Sequence, residues 1–209
     1  MLDDRKQIIS WSLYDWANST FSTTVMAGFF PIFFQQYWST ATDVTVSTWY
    51  LGLANSLASI AVASLAPFLG AIADKASVKK RLLIFFAFIG IISTGALSMV
   101  GQGYWKIAAV FYVVASVGFM SANIFYDSLL PSVASKQKRD FVSSLGYSLG
   151  YIGGGILFLV NVAMYLKPQF FGIADAPSAI KLSFLTVAVW WAIFTLPILF
   201  FVKEKAPVN

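Results

Sequence analysis

The sequence predicts an all-α polytopic membrane protein, and three observations carry that prediction. Hydrophobic residues make up 58% of the 209 positions and charged residues only 11%. The mean hydropathy is +0.75. Apolar runs long enough to cross a bilayer recur along the chain, separated by short polar breaks. A soluble domain carries about 25% charged residues to cover its wet surface, so a soluble enzyme is excluded. With no His and no Cys, imidazole or thiolate metal sites, His-based acid–base catalysis, thiol nucleophiles and disulfides are excluded as well.

Hydrocarbon about 30 Å thick needs roughly 20 apolar residues per helix. Six runs meet that length, at 12–37, 49–72, 82–100, 106–130, 141–166 and 182–202. The first ends at Ser39 to Asp43, the second at Asp74 to Arg81, and the third at Gly101-Gln102-Gly103. Pro131 to Asp140 separates the fourth from the fifth, and Lys167 to Lys181 the fifth from the sixth. The six runs form one transmembrane bundle over 1–209 and leave no room for a soluble domain. They are continuous rather than alternating, which excludes a β-barrel. Met1 to Gln7 is mixed in charge and the run after it is too long for a cleavable signal, so the first run is expected to remain as a span.

Lys and Arg mark the cytoplasmic side. With both termini inside, the inner segments hold eleven basic residues: Arg5, Lys6, Lys75, Lys79, Lys80, Arg81, Lys136, Lys138, Arg139, Lys203 and Lys205. The outer side holds only Lys106, Lys167 and Lys181. Both termini are therefore expected in the cytoplasm of a cell bounded by a bacterial inner membrane. The net charge of +5 follows from this bias and suits anionic lipids at the inner leaflet rather than nucleic acid. Tyr37, Trp38, Trp49, Tyr50, Tyr104 and Trp105 at outer ends, and Trp11, Tyr14 and Trp16 at the inner end of the first span, are expected to form interfacial belts.

The break after the second span reads Gly70-Ala71-Ile72-Ala73-Asp74-Lys75-Ala76-Ser77-Val78-Lys79-Lys80-Arg81. It resembles the loop between helices 2 and 3 of the major facilitator superfamily, matching at Gly70, Asp74 and Lys75. Ser77 stands where the pattern has its second glycine, and the basic cluster Lys79, Lys80 and Arg81 falls one residue late. Tyr14-Asp15-Trp16-Ala17-Asn18-Ser19, Phe125-Tyr126-Asp127-Ser128-Leu129-Leu130-Pro131 and Gly146-Tyr147-Ser148-Leu149-Gly150-Tyr151-Ile152-Gly153-Gly154 are similar to the vacuole-effluxer-like, autophagy-related branch, whose yeast member is associated with amino-acid export from the vacuole. The resemblance implies one half of a twelve-helix fold, transport rather than catalysis, a small polar solute as cargo, and helices 1 and 4 lining the cavity.

On the first span Ser12, Asp15, Asn18, Ser19 and Ser22 recur at spacings of three and four, too regular for a lipid-facing surface. Asn123 and Asp127 share a face of the fourth span. A carboxylate at the bilayer centre costs about 2.5–3.5 kcal/mol, so Asp15 and Asp127 need polar company or hydration from a helix end. Asp15, Asn18, Asn123 and Asp127 are therefore candidates for a solute- or proton-binding rim at the cytoplasmic mouth; the alternative is a hydrated helix end. No Arg stands within a span to clamp a solute carboxylate, and no Gly-x-x-x-x-Gly-Lys loop suggests ATP. No metal or cofactor is expected.

Small residues let helices approach closely in lipid. Gly146, Gly150, Gly153 and Gly154 on the fifth span, and Gly52, Ser56 and Ser59 on the second, form such faces. They either pack the bundle internally or join two copies in a parallel homodimer about a two-fold axis. Asp74 would then cap the partner's fifth helix as a cytoplasmic latch, or else remain a solvated loop carboxylate. Lys79, Lys80 and Arg81 are expected to anchor their loop at the anionic leaflet. Asn55 and Asn161 are expected to bond between helices. The function this predicts is a half-size secondary transporter; the alternatives are a non-transporting assembly or receptor protein of the same fold, or an N-terminal fragment of a twelve-helix transporter.

Overall fold

The computed structural model describes residues 2–204, with the side chains of residues 72–76 outside that description. Asp74 and Lys75 are among those five, so the latch expected of Asp74 lies outside the described residues. Every regular element among the described residues is a helix: α1 Arg5–Thr20, α2 Phe30–Phe33, α3 Val44–Ala76, α4 Lys79–Leu97, α5 Trp105–Val133, α6 Arg139–Leu166 and α7 Ala176–Phe201, with a single short 3₁₀ turn at Pro168–Phe171. Asp4, Asp43 and Asp175 start α1, α3 and α7 by accepting backbone N–H groups of Gln7, Thr45 and Ser178.

Five of these helices are long and apolar enough to cross a membrane: Val44–Ala71, Lys79–Leu97, Trp105–Val133, Arg139–Leu166 and Ala176–Phe201. The first predicted span instead follows a helical path in pieces, α1 and α2 being joined and followed by wider turns at Phe21–Phe29 and Phe34–Trp38. The cause is local. Thr20 Oγ1 donates to Ala17 O at 2.8 Å, and Ser22 and Thr23 hydroxyls both donate to Ser19 O at 2.9 Å, competing for the carbonyls of a regular α-helix. Beyond them the backbone bonds over five residues, as Phe30 N–H to Val25 O and Ser39 N–H to Phe34 O show. Pro31, without an N–H, opens the tighter turn between the two wide segments.

Packing builds a four-helix core with two outlying helices. α5 packs on α4, α4 on α7, α7 on α1, and α1 touches α5; α3 is added against α5, and α6 against α1. The core is aromatic: Trp11, Tyr14, Phe21, Phe30, Trp38, Phe184 and Trp191 are fully buried. This revises part of the interfacial belt. Trp11 stacks on Tyr126 at 4.1 Å and donates Nε1–H to Tyr126 O, while Trp38 stacks on Phe184 at 5.8 Å; Trp49 and Tyr104 do stay outside. Asn55 and Asn161 bond between helices, accepting Tyr112 OH at 2.7 Å and Thr186 Oγ1 at 3.0 Å.

The glycine face of α6 lies against α1 inside one chain, the internal one of its two expected packings. A Cβ on Gly146 would stand 2.9 Å from the Trp11 ring, one on Gly153 2.6 Å from the Trp16 ring, and one on Gly154 3.1 Å from Thr23. Gly146, Gly150, Gly153 and Gly154 are buried because α1 lies against them. Gly52, Ser56 and Ser59 on α3 remain exposed, and Gly52 and Gly70 have nothing within 4 Å of a built Cβ.

Part of the basic cluster is tied to the end of α7. Glu204 accepts the N–H groups of Lys79 and Lys80 at 3.0 and 3.1 Å, placing a carboxylate on the positive end of α4. Lys80 in turn donates Nζ–H to Leu199 O and Val202 O at 3.2 and 2.9 Å, at the carbonyl end of α7. Lys80 therefore caps α7 within the chain, and Arg81 stays exposed. Ser77 ends α3 at φ 48, a left-handed conformation that glycine adopts without cost, which explains the glycine in the pattern it resembles.

A second clasp holds the N-terminus. Asp3 accepts Ser135 N–H at 2.9 Å, donates its own N–H to Val133 O and faces Lys138 at 3.9 Å. The Ser135 N–H above all, then the Ser135 hydroxyl and Lys138, hold the Asp3 carboxyl below its ordinary value. A depressed folded-state pKa stabilises above the unfolded value and is lost as pH falls through the folded one. The clasp is thus expected to hold at neutral pH and release in acid. Thermal melts of the Asp3→Asn chain should show a smaller drop than wild type when pH is lowered through the ordinary Asp range, about 3.9.

Candidate functional site

A pocket of about 230 Å³ opens between the first span, α5 and α6. Asp15, Asn18, Ser19, Ser22 and Thr23 line it from the first span, Phe119 and Asn123 from α5, and Tyr147, Gly150 and Tyr151 from α6. Asp15, Asn18 and Ser19 belong to α1 and Ser22 and Thr23 to the wide turns at Phe21–Phe29, so this wall crosses the point where the first helix widens. Such π-type segments gather at functional sites.

Asn18, 1% exposed, donates Nδ2–H to Asn123 Oδ1 and so ties the first span to α5 at the pocket wall. Ser19 donates its hydroxyl to Asp15 Oδ1 at 3.2 Å. Gly150 is what allows α6 this close: a Cβ there would lie 2.7 Å from Ser19 Oγ and 3.0 Å from Asp15 Cγ. Tyr147 and Tyr151, 61% and 77% exposed, stand on the open rim. Trp190 donates to Trp16 O at 3.2 Å behind the wall, and Trp16 and Trp190 stack at 5.7 Å.

Asp15, Asn18 and Asn123 come together as the sequence suggests. Asp127 does not join them: it is exposed and absent from the lining, although close enough for its charge to act on Asp15. Ser12, expected in the same polar stripe, is turned into the core. Tyr147, Tyr151, Phe119 and Gly150 as a pocket residue were not foreseen. The four-residue spacing of Tyr147 and Tyr151, flanking Gly150, is the signal that marks them. A larger groove of about 380 Å³ between α3 and α5 is lined by Leu53, Leu57, Val110, Val113 and other apolar groups, with Lys106 at one end. It lacks convergent polar groups and has the character of a lipid-facing furrow.

No group of His, Cys, Asp and Glu side chains among the described residues is arranged to hold a metal. Residues 44–208 match the family described as vacuole effluxer Atg22 like. The chain is 38% identical over 202 residues to the uncharacterized MFS-type transporter YxiO of Bacillus subtilis, covering 96% of this chain and 47% of that one. It is 28% identical over 187 residues to an uncharacterized protein of Aquifex aeolicus, 88% and 45%. Autophagy-related protein 22 of Saccharomyces cerevisiae is 25% identical over 142 residues, 60% and 26%. The chain spans about half the length of the first two relatives. No solved structure matches it. The helical bundle, the apolar spans and these similarities agree that the chain belongs to the vacuole effluxer Atg22-like family, a family of membrane transport proteins rather than enzymes.

Proposed function

We propose that the chain forms one six-span wall of a secondary transporter, moving a small polar solute by alternating access against a second such bundle. The observation that carries this reading is the pocket itself. Asn18 and Asn123 bond across two helices beside Asp15, in a cavity whose rim tyrosines are left open on the bundle surface. Polar groups gathered inside an apolar bundle are costly unless a cavity uses them. Asp15, Asn18 and Asn123 bind the solute or a coupling proton, and Asp127 guards the approach. Amino acids are the first solutes to test, given the family. Both termini face the cytoplasm of a bacterial inner membrane, in keeping with the basic residues.

In this reading the second wall is another copy, arranged in parallel about an axis along the membrane normal. The exposed small face of α3 at Gly52, Ser56 and Ser59 supports that contact. The α6 glycines no longer do. The chain contains no cysteine, so single replacements report cleanly. Ser56→Cys is expected to yield oxidation-linked dimers in membranes, while Ile193→Cys, 53% exposed on α7, yields none. The reverse pattern removes the α3 contact. Solute uptake by proteoliposomes holding the chain, lost in Asn18→Ala, is the test of transport. A folded chain that carries no amino acid or other small polar solute would instead fit an assembly or receptor role.

A further inference from the structure

We infer that this pocket recognises the ammonium group of its solute, an inference that rests on the reading of the pocket as a solute site. Ten residues line it and none is a lysine or arginine. Its one lining charge is the half-buried Asp15 carboxylate, which receives the Ser19 hydroxyl at 3.2 Å. The walls themselves therefore carry one negative charge and no positive charge to balance it. A solute carboxylate or phosphate would meet the Asp15 carboxylate and no donor cation. An ammonium group removes the imbalance.

The rest of the wall suits the same guest. Asn18 and Asn123 already use an N–H and a carbonyl on each other, which leaves fewer donors for an anion. Phe119, Tyr147 and Tyr151 line the same pocket, and aromatic rings attract cations through the ring quadrupole. Tyr147 and Tyr151 are one helical turn apart on α6 and flank Gly150, the residue in contact with Asp15. Carboxylate and aromatic rings thus give the pocket two kinds of cation partner. At about 230 Å³ the space admits a small amine or the amino end of a larger solute.

The test uses the full chain in nonionic detergent at pH 7 and three ring-matched probes: benzylammonium, benzyl alcohol and benzoate. Binding is read by equilibrium dialysis, with thermal melts to confirm folding of each variant. Benzylammonium is expected to bind at least tenfold more tightly than either of the others. Asp15→Asn should erase that preference, bringing benzylammonium to the level of benzyl alcohol, with Asp15→Glu restoring part of it. Tyr151→Leu should weaken benzylammonium several-fold and Tyr151→Phe should not. Equal binding of the amine and the alcohol, or a preference that survives Asp15→Asn, overturns the inference. If Asn18→Ala then still abolishes binding, the pocket reading stands without it. If no probe binds, or none responds to Asn18→Ala, both fall.

Discussion

Gly118→Ala is expected to destabilise the folded bundle by about 2 kcal/mol, the largest effect of any single methyl group on this chain. The built Cβ would stand 2.6 Å from Gly90 N and 2.7 Å from Phe86 O. Both are backbone atoms of α4, so no rotamer change relieves them and α4 must move away from α5. Overpacking of this kind costs about 1–3 kcal/mol and sometimes more, and the better helix propensity of alanine returns only about 1 kcal/mol. The shift would travel further, because Gly90 sits 2.5 Å, measured from its own built Cβ, from the Trp191 ring on α7. Gly155→Ala is the control: nothing lies within 4 Å of that Cβ, so it should gain stability by up to about 1 kcal/mol. Thermal melts in detergent check both. A Gly118→Ala chain that melts with wild type would mean that α4 and α5 tolerate separation.

The contrast between these glycines marks where sequence reasoning reached its limit. Hydropathy and basic-residue bias locate helices along the chain, and five of the six expected runs are helices long enough to cross a membrane. The helical period also shows which residues share a face, which is why Asp15 with Asn18, and Asn55 and Asn161, were legible as polar positions needing partners. The period is silent on how each helix is rotated about its axis and which neighbour it faces. Gly146 to Gly154 thus read equally as an inner or an outer seam, and only packing against Trp11, Trp16 and Thr23 decides it. Gly90 and Gly118 lie in separate runs and carry no joint signal. Asp127 shares a face with Asn123 but sits one turn nearer the helix end, where that face is exposed while Tyr126, Leu129 and Val133 keep α5 buried on its other side. Ser12 stands one turn before Asp15 on α1 and is turned into the core, while Ser22 and Thr23, in the wide turns after Thr20, line the pocket. Glu204 and Lys80 lie 124 residues apart, and the reciprocal cap they form depends on α4 and α7 ending at the same level.

Gly150→Ala should do the opposite of Gly118→Ala: spare the fold and damage the site. Its Cβ meets Ser19 Oγ at 2.7 Å and Asp15 Cγ and Oδ1 at 3.0 and 3.1 Å, all side-chain atoms that rotate rather than forcing helices apart. Stability is expected within about 1 kcal/mol of wild type, since the gain in helix propensity offsets the crowding. The pocket, however, loses volume where its carboxylate sits, and the Ser19–Asp15 hydrogen bond has no room to persist. A displacement of about 1 Å at a binding group is enough to cost roughly a hundredfold in a preorganised site. Benzylammonium binding should therefore fall by at least tenfold. A reading independent of any solute comes from Ser22→Cys, whose thiol lines the same pocket: its labelling rate by a small cationic thiol reagent should drop when Gly150→Ala is added. If the melts are unchanged and both binding and labelling are unchanged as well, then the approach of α6 to Asp15 has no part in shaping the pocket. If the melts collapse instead, the contact is a structural one, and α6 depends on the absence of a side chain there as heavily as α4 and α5 depend on theirs.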